Sequence, residues 1–388
     1  MTAFENLFTV LTSPIVIIFF IIIIGYYIGK IQISVISLDL AGVLIIAILS
    51  GAVLSAAFPE SAILTDAFQE NIKFLSSLGT SLFVSTIGIS SGYTLSSCTK
   101  LICLKYFLMG ITVVITGFLT FVVIGLIDKE TDSSLLLGIL CGAMTSTPGL
   151  SAAHDLEGVT PALATAGYGS AYLFGVVGVV LFVQFLMKKQ DENCRTETKK
   201  GSQSNATKAE LYGLIQLAVV IVSGCIVGKL EIPQIKFSLG NSGGILCFGI
   251  LWGYIRSKKL CRNIPSCTLD LIRSLGLLFF FVGSGLPAGN NLLSVLHVNY
   301  IGYGFLITFI SMTCGYLISR FVCRYGNIKS LSIVCGGMTS TPAIGVLMRK
   351  NKSRVDITAY SIAYVGALFA MVVVVRLFPL IKAIQNFV

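Results

Sequence analysis

Apolar residues run in long unbroken stretches along this chain, and polar and charged positions are confined to short segments between them. Pro14–Ile28, Leu40–Ala57, Tyr106–Ile127 and Ala162–Met187 approach or exceed the ~20 apolar residues that carry a helix across a bilayer. The pattern predicts an all-α polytopic membrane protein. Composition strengthens that reading: 55% of the 388 residues are hydrophobic and 11% are charged, against about 25% charged in an ordinary soluble domain. A water-soluble core could not bury so much apolar sequence, whereas a lipid bilayer is a partner that accepts it.

One long polar stretch, Lys188–Lys208, divides the chain nearly in half. Either side of it the same landmarks recur in the same order. Gly25-Tyr-Tyr-Ile-Gly29-Lys30 returns as Gly224-Cys-Ile-Val-Gly228-Lys229. Leu78-Gly79, Phe83, Gly88-Ile89 and Gly92 return 197 residues later as Leu275-Gly276, Phe280, Gly285-Leu286 and Gly289. Cys-Gly-Ala-Met-Thr-Ser-Thr-Pro, from Cys141, returns 194 residues later from Cys335 with a single change. Tyr168, Ala171 and Tyr172 are echoed by Tyr360, Ala363 and Tyr364. The expected organisation is a first membrane repeat over 1–187, a linker over 188–208 and a second membrane repeat over 209–388. Gly pairs at four-residue spacing (Gly25/Gly29, Gly88/Gly92, Gly224/Gly228, Gly285/Gly289) read as close helix contacts, with hinges as the alternative.

The net charge of +10 changes the picture in one respect. The basic residues form no patch interleaved with aromatics, so no nucleic-acid partner is expected; they sit in short loops, where they report orientation. With Lys188–Lys208 placed in the cytoplasm, the acidic segments Asp128–Asp132 and His154–Gly158 fall outside, and so does Pro59–Glu70. Lys100 and Lys105, then Arg256–Arg262, Arg320–Lys329 and Arg349–Arg354, fall inside. Asp128–Asp132 and His154–Gly158 lie on one face, so the segment between them must enter and leave by the same side. The expectation is two inverted-topology repeats, each of about five transmembrane helices plus one re-entrant hairpin, with both termini outside. Glu5 in place of a basic leader, and a first apolar run ending at Gly29-Lys30, predict a first span and not a cleaved signal peptide.

The repeated Thr-Ser-Thr-Pro carries the candidate chemistry. Proline breaks a continuing helix yet suits the first turn of a new one, and Thr147 and Thr341 stand where an N-cap is expected. Each motif reads as a hairpin tip. A first arm over Ser134–Met144 would reach roughly 16 Å, about the middle of a ~30 Å hydrocarbon core. Backbone N–H groups of Gly149-Leu150 and Ala343-Ile344 would then lie free at the positive end of a half-helix, a place suited to an anion. The substrate-binding candidates are therefore Thr145, Ser146, Thr147, Pro148, Gly149, Leu150, Thr339, Ser340, Thr341, Pro342, Ala343 and Ile344, two tips framing one pocket.

Three charges are candidates for gating or charge pairing. Asp155 and Arg349 occupy equivalent positions after the two tips; Arg376 interrupts an apolar run and is either a functional intramembrane charge or a side chain that snorkels to the interface. His154 reads as a loop residue. The eleven Cys form no Cys-x-x-Cys pair, and His154 and His297 are the only histidines, so neither a disulfide framework, a metal site nor a cofactor is expected. With no nucleophile–base pair and no deep acidic pair, an enzyme is not the expectation either.

At the paired GAMTSTPGL and GGMTSTPAI segments, with LGTSLFVSTIGISSG and LGLLFFFVGSGLPAG before them, the chain resembles the aspartate:alanine exchanger family of bacterial secondary transporters, across both membrane halves. The resemblance implies exchange of small anionic metabolites, such as aspartate for alanine or dicarboxylates such as succinate, across the bacterial inner membrane by alternating access. It also implies a homodimer by analogy. Many members carry large cytoplasmic regulatory domains between the halves; here that place holds only Lys188–Lys208. Phe74–Gly92 holds no Arg to anchor a substrate, which sets aspartate itself apart from the wider class. A sodium- or proton-coupled carboxylate symporter on the same scaffold is the alternative, and a passive channel or an intramembrane enzyme fits the sequence less well.

Overall fold

A computed structural model describes residues 13–30, 32–33, 36–37, 40–57, 66–96, 100–187, 207–232, 237–258, 264–289, 297–340, 343–344, 346–347 and 355–385. The first half gives α1 (Pro14–Gly29), α2 (Ala41–Ala57), α3 (Asp66–Ser96), α4 (Lys100–Ile127), α5 (Ser133–Ala143), α6 (Thr147–His154) and α7 (Pro161–Leu186). The second half gives α8 (Thr207–Gly228), α9 (Gly240–Lys258), α10 (Ser266–Gly289), α11 (Val298–Leu317), α12 (Asn327–Gly337) and α13 (Ile357–Gln385). The order is the same twice, with 343–344 and 346–347 helical where α6 has its counterpart. Even the two-residue strands recur: β1 (Gln32–Ile33) with β2 (Ile36–Ser37), and β3 (Glu231–Ile232) with β4 (Phe237–Ser238), each pair antiparallel. These short hairpins, which the sequence did not announce, join α1 to α2 and α8 to α9.

Six described helices are long and apolar enough to cross a membrane: Phe68–Ser96, Leu101–Ile127, Pro161–Leu186, Ser266–Gly289, Asn299–Val322 and Ile357–Pro379. Shorter apolar helices include Pro14–Gly29, Gly42–Ala56, Ser133–Ala143 and Gly213–Gly228. Their outer faces are apolar: Phe20 on α1, Leu101 on α4 and Phe185 on α7 are 61%, 66% and 88% exposed, a surface that lipid, not water, accommodates. Two expected boundaries shift. Thr207 and Lys208 already belong to α8, and Asp66 and Glu70 belong to α3, because the polar residues sit on a helical turn that precedes the apolar run. The rest of the expected linker, 188–206, lies outside the described residues.

The halves are interlocked and not side by side. α3 packs on α9 and α10, α2 on α10, α4 on α13 and α11 on α7. Every such contact has its repeat counterpart, as an internal twofold requires. The paired glycines make the approach possible. A side chain at Gly88 would meet the backbone of Leu246 and Gly249, and one at Gly285 would meet Ala47 and Leu44, so these positions are close helix contacts. At the centre α3 and α10, mates in the repeat, cross antiparallel: Ser76 Oγ lies 2.9 Å from Ser284 Oγ. There, a Cβ on Gly276 would stand 2.6 Å from Phe83 N and 2.8 Å from Gly79 O.

Both hairpins return to the face they leave. In the first, Thr160 N, just before α7, donates to Ser134 Oγ at the start of α5 (3.1 Å). Gly138 then packs on Ala164 and Gly142 on Tyr168, so α5 and α7 run parallel and α6 is the return stroke. In the second, Lys329 on α12 pairs with Asp356 before α13 (3.5 Å), and Gly336 packs on Tyr360. Other bonds tie helix ends of the two halves together. Tyr303 OH donates to Asp128 Oδ2 (2.8 Å), joining the first turns of α11 to the end of α4. Ser96 Oγ donates to Ser257 Oγ (2.6 Å) and Asn327 Nδ2 to Leu186 O (3.0 Å), joining the end of α3 to the end of α9 and the start of α12 to the end of α7. The Asp128 carboxyl is held below its ordinary pKa by the Thr131 hydroxyl first and the Tyr303 hydroxyl second.

Candidate functional site

The two first arms are the same length and stop in the same way. Asp132 caps α5, its Oδ1 accepting from Ser134 N (2.7 Å) and Leu135 N (3.4 Å). At the other end Ser146 N donates to Cys141 O (2.8 Å) and Thr145 N to Gly142 O (2.9 Å). α12 ends with Ser340 N on Cys335 O (3.0 Å) and Thr339 N on Gly336 O (2.9 Å). This double bond pattern closes a helix around one residue in the left-handed region, a place usually filled by glycine. Here it is filled by threonine twice, with φ 50° at both Thr145 and Thr339. A β-branched residue in that region is strained by roughly 1–3 kcal/mol.

The strain sets the two hydroxyls against the opposite tip. Thr145 Oγ1 donates to Met338 O (2.5 Å), and Thr339 Oγ1 donates to Met144 O (3.1 Å) or Thr145 O (2.9 Å). The two hydroxyl oxygens are 3.4 Å apart. Thr145 and Thr339 are buried, 7% and 8% exposed. Each such bond is worth about 1 kcal/mol net, close to the strain that positions it, so the contact between tips is balanced and not a clamp. The sequence brings the two tips to one place; in this structure they touch each other.

Two expectations about the tip are corrected. The N-cap of α6 is Ser146, not Thr147: its backbone is extended (φ −99°, ψ 93°) and its Oγ accepts from Gly149 N (3.2 Å). One residue thus both closes α5 and opens α6, which pushes Thr147 into the helix. The N–H groups of Gly149 and Leu150 are consequently not free, since Leu150 N donates to Ser146 O (3.1 Å). Ile344 N donates to Ser340 O (3.5 Å) in the second tip. Thr341 and Pro342 lie outside the described residues.

Around the first tip, Thr147 Oγ1 is 3.1 Å from Tyr168 OH, and Tyr168 stacks on Tyr172 with centroids 5.1 Å apart. Thr308 on α11 donates to Ala143 O (2.8 Å), satisfying a carbonyl that the helix end leaves open. The residue equivalent to Thr308 in the first half is Val114, which has no hydroxyl to offer. Pro148, Gly149 and Leu150 are buried beneath, and Ala343 and Ile344 are buried in the second half.

At the far end of α6 the charge candidates sort themselves. Arg376 on α13 turns inward, 8% exposed, and does not snorkel. Its Nη2 is 3.2 Å from Asp155 Oδ2, and its Nη1 donates to Asp155 O (3.3 Å). Asp155 Oδ2 also accepts from Ser242 N (2.9 Å) and from Ser242 Oγ at the start of α9. Arg349 lies outside the described residues. His154 is the last residue of α6 and not a loop residue; its Nε2 is 2.9 Å from Thr165 Oγ1 and its ring lies beside Phe280.

Two features of the candidate site escaped the sequence. Thr145 and Thr339 were legible as motif members but not as left-handed caps, since threonine is not the residue that position signals. Ser242 had no signal beyond its place at a helix start.

Comparison with known proteins follows the same division of the chain. A family model described as a predicted permease membrane region, Asp-Al_Ex, matches residues 17–188 and 216–380, one block on each half. Relatives include an uncharacterised transporter of Bacteroides fragilis, 30% identical over 180 residues (45% of this chain, 34% of that protein). A second is an uncharacterised transporter of Bacteroides thetaiotaomicron, 32% identical over 183 residues (47% and 31%). A third, from Rhodopirellula baltica, is 34% identical over 166 residues (41% and 31%). The chain spans about a third of the length of the curated relatives it matches.

Proposed function

The chain belongs to the Asp-Al_Ex family of predicted permease membrane regions, and from that premise we propose that it is a secondary active transporter exchanging small carboxylates, amino acids or dicarboxylates. The observation that carries this reading is the reciprocal meeting of the tips, Thr145 on Met338 and Thr339 on Met144. Irregular backbone deep in an apolar bundle is tolerated where protein covers it or a polar cavity opens beside it. Here the covering is two hydrogen bonds that a ligand's own oxygens can replace. A carboxylate accepts from both Thr hydroxyls at once, and it would part the tips by substituting for Met338 O and Met144 O.

Alternating access follows from the packing. α1–α3 with α8–α10 form one bundle, and α4–α7 with α11–α13 form the other, which holds both hairpins. We take residues 1–187 and 209–388 as inverted repeats of five crossings and a hairpin each. The antiparallel crossing of α3 and α10 supports this, because a twofold along the membrane normal would make mates parallel. Rocking the hairpin bundle against the other would expose the tips to one side and then the other. In this reading the 188–208 linker is cytoplasmic and both termini lie outside the bacterial inner membrane.

The test is counterflow. Purified protein in liposomes should take up labelled aspartate or succinate only into vesicles preloaded with unlabelled substrate, with no ion gradient. Uptake that needs a sodium or proton gradient would replace exchange by symport. No uptake under either condition would sink the carboxylate reading.

A further inference from the structure

We infer that Arg376, with Gly240 and Ser242 at the start of α9, forms a carboxylate-binding site that Asp155 fills as an internal stand-in until a ligand carboxylate displaces it. This rests on the exchange reading only for the natural ligand.

A guanidinium offers five N–H donors, and a carboxylate docks best along an edge that supplies two of them. Arg376 uses Nη1 alone, on the Asp155 carbonyl. Its Nε and Nη2 are buried without a hydrogen-bond partner, although Nη2 stands 3.2 Å from Asp155 Oδ2. That leaves the Nε–Nη2 edge electrostatically matched to a carboxylate but unaligned with the one beside it. A buried Arg in a spanning helix is costly, and an unfilled donor edge adds to the cost. The other half of the site is a helix start: Ser242 N and Ser242 Oγ both donate to Asp155 Oδ2. Gly240 completes it. Its φ is +65°, and a Cβ there would collide with Arg376 Nη2 and Cζ.

The placement gives displacement a consequence. Asp155 closes the C-terminal end of α6, the return stroke of the first hairpin, whereas Ser242 begins α9 in the other bundle. While Asp155 fills the site, the hairpin is tied across the boundary between bundles. A ligand carboxylate on Arg376 and Ser242 releases Asp155, and with it the end of α6, while the ligand itself now bridges α13 and α9.

The experiment is chemical rescue. Asp155→Ala empties the site, and its thermal unfolding midpoint is measured against formate, acetate and chloride at equal ionic strength. A saturable rise with formate or acetate, absent with chloride and absent in Asp155→Ala/Arg376→Gln, is the expected result. No carboxylate-specific rise in a folded Asp155→Ala protein overturns the inference. If that variant does not fold, the isosteric Asp155→Asn decides through counterflow: removing the competing charge should lower the half-saturating carboxylate concentration about tenfold, the weight of one charge-assisted hydrogen bond. An unchanged or higher value overturns the inference. Rescue without any counterflow in the unaltered protein would retire the exchange reading and leave the site standing.

Discussion

Valine at both Thr145 and Thr339 is expected to reduce counterflow about 30-fold, two hydrogen bonds' worth at about 1 kcal/mol each. Serine at both positions should retain most of it. The two substitutions separate shape from chemistry: valine keeps the branched outline and loses the hydroxyl, and serine does the reverse. Glycine is the third comparison. At φ 50° it relieves strain of about 1 kcal/mol per residue, roughly what the lost cross-bond contributed. The double glycine variant should therefore unfold no more readily than the unaltered protein while failing to transport. Initial rates in liposomes and unfolding midpoints in detergent read the two quantities separately. Full transport by the double valine variant would remove the tips from the mechanism.

The largest effect on folding is expected where the repeats cross. Leucine at Gly276 would drive a side chain into Phe83 N and Gly79 O, and both are backbone atoms that cannot swing aside. Overpacking of this kind costs about 3 kcal/mol or more, so Gly276→Leu should yield little monodisperse protein. Gly302→Ala on α11 is the matched control, because a Cβ there meets nothing within 4 Å. Equal recovery of the two variants, judged by size-exclusion chromatography, would mean that the crossing does not hold the halves together.

The membrane class, the duplication and the two hairpins were legible because each rests on a pattern spread over many residues. Long apolar runs, a 194-residue recurrence and alternating loop charge all survive local error. What the sequence could not carry was detail settled by single atoms. Thr-Pro suggested an N-cap at Thr147, but Ser146 is already bent outward by the end of α5 and so takes the role. That one-residue shift also consumed the N–H groups expected to be free. The partner of Asp155 was hidden for a different reason. Repeat logic set Asp155 and Arg349 at equivalent positions and named no partner for either, whereas the observed ion pair joins Asp155 to Arg376 across 221 residues of chain, and only tertiary packing reveals a contact of that kind.

The bond from Thr308 to the Ala143 carbonyl has no counterpart at Val114, and this makes the halves unequal partners. Thr308 and Ala143 belong to the same bundle, so the bond travels with the first hairpin wherever that bundle goes. At about 1 kcal/mol, it fastens the first hairpin to α11 about fivefold more firmly than a valine fastens the second to α4. Exchanging the two residues, Thr308→Val with Val114→Thr, would hand that firmer footing to the other hairpin.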